Sequence, residues 1–292
     1  MEFPHVRSIQ EFKEIDKDQG IERNYLYYKK SSTHIHTEKQ EVDLFDSPVW
    51  GKMLFIDGTL QSTTCDELMY HSALVHPLMS LLKSMNSILI LGGGEGATAR
   101  EVLRWPIERL TMVDYDKELV EHMKIYGAEW SMGAFDDPRL TVEYADAWEF
   151  LDSNKSYDGV IIDLTDPDLK TQRWKSLLRK IMKSIQASRG SFVMNAGLYM
   201  PWKMENIKEL YLIVENLCST FFSHRCELYT LYIPSFHGEW AFIIVYPKEK
   251  TLLKPDSLHM IPDWIRRSIH ILDSDLLFTP ISTIPSLSKI SI

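Results

Sequence analysis

Four carboxylates set the chemistry open to this chain: Glu95, Asp114, Asp146 and Asp163. Each lies just beyond a short strand-like run: Ile88–Leu91, Leu110–Val113, Leu140–Glu143 and Gly159–Ile162. Asp166 follows one turn later, in Ile-Ile-Asp-Leu-Thr-Asp-Pro. Ligands of open α/β sheets bind outside the carboxyl ends of the strands. The four acids would therefore share one cleft of strongly negative potential, suited to a cation. Any one of them alone reads as a loop or cap residue. Four at successive strand ends do not.

The first of these strand ends has the clearest signature. Gly92, Gly93, Gly94 and Gly96 follow the apolar run Ile88–Leu91 and precede a helical stretch. Glycines there permit a tight turn and close approach of backbone to ligand. Asp114 stands 20 residues after Gly94, where a nucleotide-binding βαβ unit places an acid on a ribose. Glu95, inside the turn, would repel a phosphate. The expected ligand is a cationic nucleoside rather than a dinucleotide.

Each acid then has a task. Asp114 can accept from both ribose hydroxyls, and Asp146 from an exocyclic adenine amine. Glu95 and Asp163 would face each other across the first and fourth strands. Two close carboxylates raise one pKa unless a cation sits between them; an ammonium or sulfonium would serve. S-adenosylmethionine brings a carboxylate that Glu95 opposes. Its decarboxylated form ends in a bare ammonium and fits better.

These residues need a frame. Residues 1–65 contain short apolar or alternating runs (Tyr25–Tyr28, Glu41–Phe45, Lys52–Ile56) separated by turn signals such as Asp57-Gly58, and predict a small antiparallel β unit. From 66 to 250, after a helix over Asp66–Met85 interrupted by Pro77, strands alternate with helices near Thr98–Leu103, Lys117–Tyr126, Ala147–Leu151 and Gln172–Ile185. A fifth strand is expected at Ser191–Met194, then an antiparallel pair at Arg225–Tyr232 and Trp240–Tyr246. Such alternation predicts an α/β protein with a parallel sheet covered on both faces. Residues 251–292 read as an extension, helical near Ile261–Leu272 and then Pro/Ser-rich.

Composition narrows the partners. The 292 residues are 45% hydrophobic and 25% charged, with a formal net charge of −9, the balance of an ordinary globular protein. Acidity disfavours nucleic acid and anionic membrane and suits small cations. Cys65, Cys218 and Cys226 form neither a metal spacing nor a disulfide framework. His34-Ile-His36 has the spacing of a metal pair but no evident third ligand, so an exposed polar strand is expected and no metal. No signal peptide is visible and no apolar run reaches the ~18 residues of a membrane span, so a cytoplasmic location is expected.

The chain resembles the polyamine aminopropyltransferases, the group of spermidine, spermine, thermospermine and aminopropylagmatine synthases. The matching segments are Gln40 in Lys-Gln-Glu, Ile56–Ser62, Asp66–His71, Gly92–Thr98, Asp114–Asp116, Asp146-Ala147, Asp163–Pro167 and Ile233–Phe236. The resemblance implies a small N-terminal β domain followed by a Rossmann-like, methyltransferase-type seven-stranded mixed sheet with helices on both faces. It also implies a homodimer or homotetramer and no tightly bound cofactor. The implied donor is decarboxylated S-adenosylmethionine, which leaves as methylthioadenosine. Gln40, Gln61, Gly92, Gly94, Glu95, Asp114, Asp146, Ala147 and Asp163 resemble the nucleoside-binding set. Tyr70, His71, Asp166 and Phe236 resemble the amine side, with Trp240 among the aromatics (Trp50, Trp202, Trp264) that could line a slot for methylene chains. His71, in place of the Gln of putrescine-specific members, Asn195 in place of a frequent Gln, and Phe236 in place of Tyr point to a longer or guanidino-bearing amine.

The implied reaction is in-line attack of an amine on the propyl carbon next to the sulfonium. Asp163 would take the proton, helped by the hydroxyl of Tyr70, and Asp166, Asp66 or Glu67 would anchor the far end of the amine. Asp66 could instead cap the helix bearing Tyr70. The alternatives are a small-molecule methyltransferase, a non-catalytic nucleoside or polyamine binder, and a NAD protein. Glu95 argues against the first and last.

Overall fold

The computed structural model describes residues 8–17, 20–151, 155–165, 167, 169, 172–221, 223–252 and 260–272. Asp166 lies outside them, as does the Pro/Ser-rich end of the chain.

Six strands come first: β1 (Ile9–Asp16), β2 (Ile21–Tyr28), β3 (Ser32–His36), β4 (Glu41–Ser47), β5 (Gly51–Ile56) and β6 (Thr59–Thr63). β1 and β2 form an antiparallel ribbon; β3 to β6 form a four-stranded antiparallel sheet in chain order. The turn between β5 and β6 has positive φ at both Asp57 and Gly58, which matches the twist of the flanking strands. Val42, Leu44 and Leu54 of this sheet share a core cluster with Ala97, Leu119, Met123 and Trp130 from beyond it. His34 and His36 lie on the exposed face of β3 and pair with Asp43 and Glu41.

The large sheet follows: α1 (Glu67–Leu81), β7 (Ile88–Gly92), α2 (Ala97–Leu103), β8 (Leu110–Asp114), α3 (Lys117–Tyr126), α4 (Ala128–Ser131), β9 (Leu140–Tyr144), α5 (Ala147–Phe150), β10 (Gly159–Asp163), α6 (Gln172–Gln186), β11 (Ser191–Tyr199), α7 (Glu205–Phe221), β12 (His224–Ile233), β13 (Gly238–Pro247), α8 (Asp263–Arg266) and β14 (His270–Leu272). The strand order is β14-β12-β13-β11-β10-β7-β8-β9. β9, β8, β7, β10 and β11 are parallel, whereas β13, β12 and β14 join antiparallel. Alternate residues of the central strands enter opposite cores. Leu89, Val160 and Phe192 meet α6 and α7; Ile90, Ile161 and Val193 meet α1 and α2.

The described sheet has eight strands, not the seven expected. The stretch read as a helix over Ile261–Leu272 yields only the one turn of α8, and His270–Leu272 then pairs with Leu228–Thr230 of β12. The helix α7 has no counterpart among the expected elements, although Ile207, Leu210, Tyr211, Val214, Leu217 and Cys218 bury one face of it at helical spacing. Pro77 does not interrupt α1. Proline cannot donate to the carbonyl four residues back, and the hydroxyl of Tyr229 donates to Ala73 O at 2.7 Å instead.

Candidate active site

The strand order reverses between β7 and β10, so the crevice opens at their carboxyl ends. Their register pairs Gly92 with Asp163. Gly92 has φ +86°, and a Cβ there would lie 2.0 Å from the Asp163 carbonyl oxygen; only glycine lets the turn cross so close to β10. A Cβ on Gly94 would lie 2.9 Å from the Asp114 carboxylate. The glycines thus pack the turn against two of the acids, so that Glu95, Asp114 and Asp163 converge.

Asp163 is held by two hydroxyls: Tyr70 donates to Oδ1 at 3.1 Å and Thr98 to Oδ2 at 2.5 Å. Burial, then the charge of Glu95, push its carboxyl up to about 6, against the pull of His71 and the two hydroxyls. Asp114 accepts from the Asp116 N–H at 2.9 Å. Burial, helped by the charges of Glu95, Asp116 and Asp163, outweighs that bond and raises it to about 6 as well. Side-chain nitrogen or oxygen atoms of His71, Glu95 and Asp163 all lie within 4.8 Å of one another. Two carboxylates there share one imidazole, and the charge of Glu95 also reaches Asp114.

His71 is buried. Its Nδ1 lies 2.9 Å from a Glu67 carboxylate oxygen and 2.7 Å from the Glu67 carbonyl; its Nε2 lies 2.9 Å from Glu95 Oε1. Both ring nitrogens face groups that only accept, so the ring is an imidazolium with no lone pair to offer. Burial opposes that charge, but Glu67 and Glu95 hold the ring well above its ordinary range. His71 therefore bonds Glu95 at the cleft, and its charge also reaches Asp163.

Glu67 and Asp66, considered as anchors for an amine, are already engaged. Glu67 receives both terminal nitrogens of Arg100, at 3.0 and 2.9 Å. Asp66 makes no side-chain cap, contrary to the capping expectation. Instead it accepts from Thr63 Oγ1 and from the Ser235 N–H, both at 2.7 Å. This ties the end of β6 to the turn carrying Phe236.

Phe236 lies 6.1 Å from Tyr70 and 4.7 Å from Trp240 between ring centroids. Trp240 donates to Asn195 Oδ1 at 2.7 Å. Gln61, Tyr70 and Phe236 border a small recess that is part open to solvent, with room for about 10 Å³. Trp202 and Trp264 are 75% and 57% exposed and line no slot; Trp50 packs on the N-terminal aromatic cluster.

The residues expected on the nucleoside side have their own partners. Gln40 accepts from Tyr115 at 3.2 Å and Gln61 donates to the Thr59 carbonyl. Asp146 caps α5, which begins at Ala147, by accepting from Trp148 N at 2.7 Å; its other oxygen pairs with Arg173 at 2.8 Å. An adenine amine at Asp146 would compete with that guanidinium. Sequence reasoning missed Thr98, Arg100 and Glu67's part in the site. Thr98 and Arg100 stand one and three residues after Ala97, on the first turn of the helix that the glycines open.

A sheet of this order, with acids at the crevice of its switch point, defines a doubly wound α/β protein with an acidic site. The comparisons specify it further. A family model described as the spermine/spermidine synthase domain matches residues 67–255. A polyamine aminopropyltransferase of Aeropyrum pernix is 40% identical over 200 residues, 66% of this chain and 62% of that protein. One of Saccharolobus solfataricus is 40% identical over 217 residues, 71% of this chain and 69% of that protein. Spermidine synthase of Thermotoga maritima superposes with a TM-score of 0.77 at 20% identity, covering 94% of this chain and 95% of that one. A spermidine synthase in complex with the transition-state analogue AdoDATO gives 0.76 at 21%, covering 98% and 95%. The chain belongs to the spermine/spermidine synthase family. The stretch aligned to the Aeropyrum relative is thus less than two thirds of that protein's length.

Proposed function

We propose that the protein transfers an aminopropyl group from decarboxylated S-adenosylmethionine to an amine, releasing methylthioadenosine. The observation that carries this reading is Glu95 in the glycine turn, set beside Asp163 at the switch point and sharing its negative field. That pair suits a ligand bearing an ammonium next to a sulfonium and opposes one bearing a carboxylate. Asp114 would take the ribose, and Asp146, on release of Arg173, the adenine amine.

The acceptor nitrogen attacks the propyl carbon, a C–N bond forms, and the C–S bond breaks with its electrons going to sulfur. The leaving group is a neutral thioether, so the sulfonium itself supplies the activation. The acceptor arrives as an ammonium, with an ordinary pKa of about 10, and must lose a proton. Asp163 receives it, with Tyr70 bonded to the same carboxylate. Raising that carboxyl from 3.8 to about 6 narrows the gap to the amine by roughly two units, or about 3 kcal/mol. Fixing the two reactants in line contributes more, roughly 7–11 kcal/mol in well-aligned systems.

For the acceptor we propose a polyamine or agmatine-type amine rather than putrescine alone. Phe236 gives the pocket wall no hydroxyl, and Asp66 and Glu67 are engaged elsewhere. Incubation with the donor and agmatine, putrescine, cadaverine, spermidine or norspermidine, followed by chromatography, tests both parts. Methylthioadenosine with an aminopropylated product supports the reading. S-adenosylhomocysteine formed from S-adenosylmethionine would replace it with a methyltransferase, and putrescine as the sole acceptor would sink the acceptor assignment.

A further inference from the structure

Behind Glu95, charges of alternating sign run through the protein between α1 and α2. Glu95 pairs with His71, His71 with Glu67, and Glu67 with Arg100. Arg100 pairs in turn with Glu101, which also receives Arg104 and the buried His76. Every nitrogen of the Arg100 guanidinium is used: Nε on Glu101 at 2.9 Å, one terminal nitrogen on Glu67 and on the Trp130 carbonyl at 2.7 Å, the other on Glu67. Its side chain is 11% exposed. Nothing in the reaction uses Arg100, and a buried ion pair contributes little net stability by itself.

We propose that Arg100 is a positioning residue for the donor site: its two-pronged grip on Glu67 keeps that carboxylate on Nδ1 of His71, which makes the ring present an N–H to Glu95 and fixes the Glu95 carboxylate opposite Asp163. The proposal rests on the reading of Glu95 as part of the donor site. The physical argument is one of donors and acceptors. A neutral imidazole has a single N–H and would leave one of the two carboxylates against a lone pair. Glu67 on one side and Glu95 on the other demand the imidazolium. Glu67 can exert that demand only while it is ionised and correctly turned. The guanidinium supplies both conditions, since its planar fork matches a carboxylate in two bonds. Burial works against Glu67, yet His71 and Arg100 hold it below the ordinary carboxylate range.

The groups that act on the ring come from four elements. Glu67 and Tyr70 belong to α1, Glu95 to the glycine turn and Asp163 to the end of β10. Arg100, on α2, acts from behind Glu67. Without Arg100, Glu67 becomes a buried carboxylate with one partner fewer and is easier to protonate. The ring then loses the reason to keep its second proton near neutral pH, and Glu95 loses its fixed donor.

The test uses the whole protein with ¹³C-labelled histidine, the His71 signal being assigned with His71→Gln. In the unaltered protein the ring should keep its imidazolium shift through pH 8. In Arg100→Gln and in Glu67→Gln it should lose a proton near neutral pH, with Arg100→Lys intermediate because it keeps the charge but not the fork. Titration calorimetry at pH 8 should show decarboxylated S-adenosylmethionine weakened about tenfold in Arg100→Gln, in line with loss of one charged hydrogen bond. Methylthioadenosine, which lacks the propylamine, should bind as before. If Arg100→Gln does not fold, Glu67→Gln decides. An unchanged ring titration in the folded variants, or equal weakening of donor and methylthioadenosine, overturns the proposal. If the unaltered protein forms no methylthioadenosine with any amine, the functional reading falls, while the ring titration still supports or overturns the network.

Discussion

Two carboxyls that titrate near 6 in the empty site should be detectable as protons expelled when a cation arrives. At pH 6 Asp114 and Asp163, each raised to about 6, are half-protonated, whereas an ordinary aspartate would carry about 0.01 proton. The donor brings a permanent sulfonium, an ammonium and two ribose hydroxyls, all of which favour the ionised acids. Binding should then release up to about one proton at pH 6 and close to none at pH 8. The same linkage should weaken donor binding by roughly tenfold per carboxyl between pH 8 and pH 5. Calorimetry in two buffers of different ionisation enthalpy, repeated at both pH values, measures the release directly. Asp163→Asn should halve it. Heats that are independent of buffer at pH 6 would show that the acids are already ionised in the empty site, and the electrostatic argument for a cationic guest would fail with them.

The same carboxyls govern stability without ligand. Their folded pKa values exceed the unfolded ones, so the folded protein binds more protons between about pH 4 and pH 6, and stability falls as pH rises through that window. Asp114→Asn should therefore stabilise the unliganded protein by up to about 3 kcal/mol well above pH 6; denaturant unfolding should show the full gain at pH 8 and about half of it at pH 5. Asp163→Asn should keep the fold, weaken the donor roughly tenfold at pH 8 by removing one of the two charges, and lower kcat at saturating substrate at least ~100-fold; a normal kcat in steady-state assays would remove Asp163 as proton acceptor. Asp66→Ala strands the Ser235 N–H, at a cost of roughly 1–3 kcal/mol, and should raise the KM for the amine more than that for the donor. A mutant with both constants unchanged would mean that the Phe236 turn is held in place by other contacts. Gly92→Ala puts a methyl 2.0 Å from the Asp163 carbonyl at a positive φ; thermal unfolding should show a large loss of Tm or no folded protein, and a Tm close to normal would contradict the close approach of turn and strand.

Most of the frame could be read from residue order because its signals are local. Buried parallel strands appear as apolar runs, the glycine turn as glycines, and the acids as the residues that follow strands. The antiparallel β12–β13 pair was visible in the shortness of its link. What escaped depends on distant partners. Three residues such as His270–Leu272 carry no periodicity; they are a strand only because β12 offers an open edge. Pro77 reads as an interruption until Tyr229, far along the chain, supplies the missing bond. The site divides in the same way. Glu95 and Asp163 were legible as strand-end acids, but the engagement of Glu67 by Arg100 and of Asp66 by Ser235 arises from packing that no spacing announces. His71, expected on the amine side, has both its nitrogens turned to carboxylates, Glu67 and Glu95, which no spacing announces either.

The carboxylate of Asp66 reaches Ser235, 169 positions later in the chain, and on its other oxygen reaches Thr63. On the proposed reading, acceptor preference is distributed over segments that are remote in the gene. A chimera exchanging only the front half between two relatives would inherit one jaw of a vice and not the other. Selectivity in such hybrids should follow neither parent until both ends of that tether are swapped as a unit.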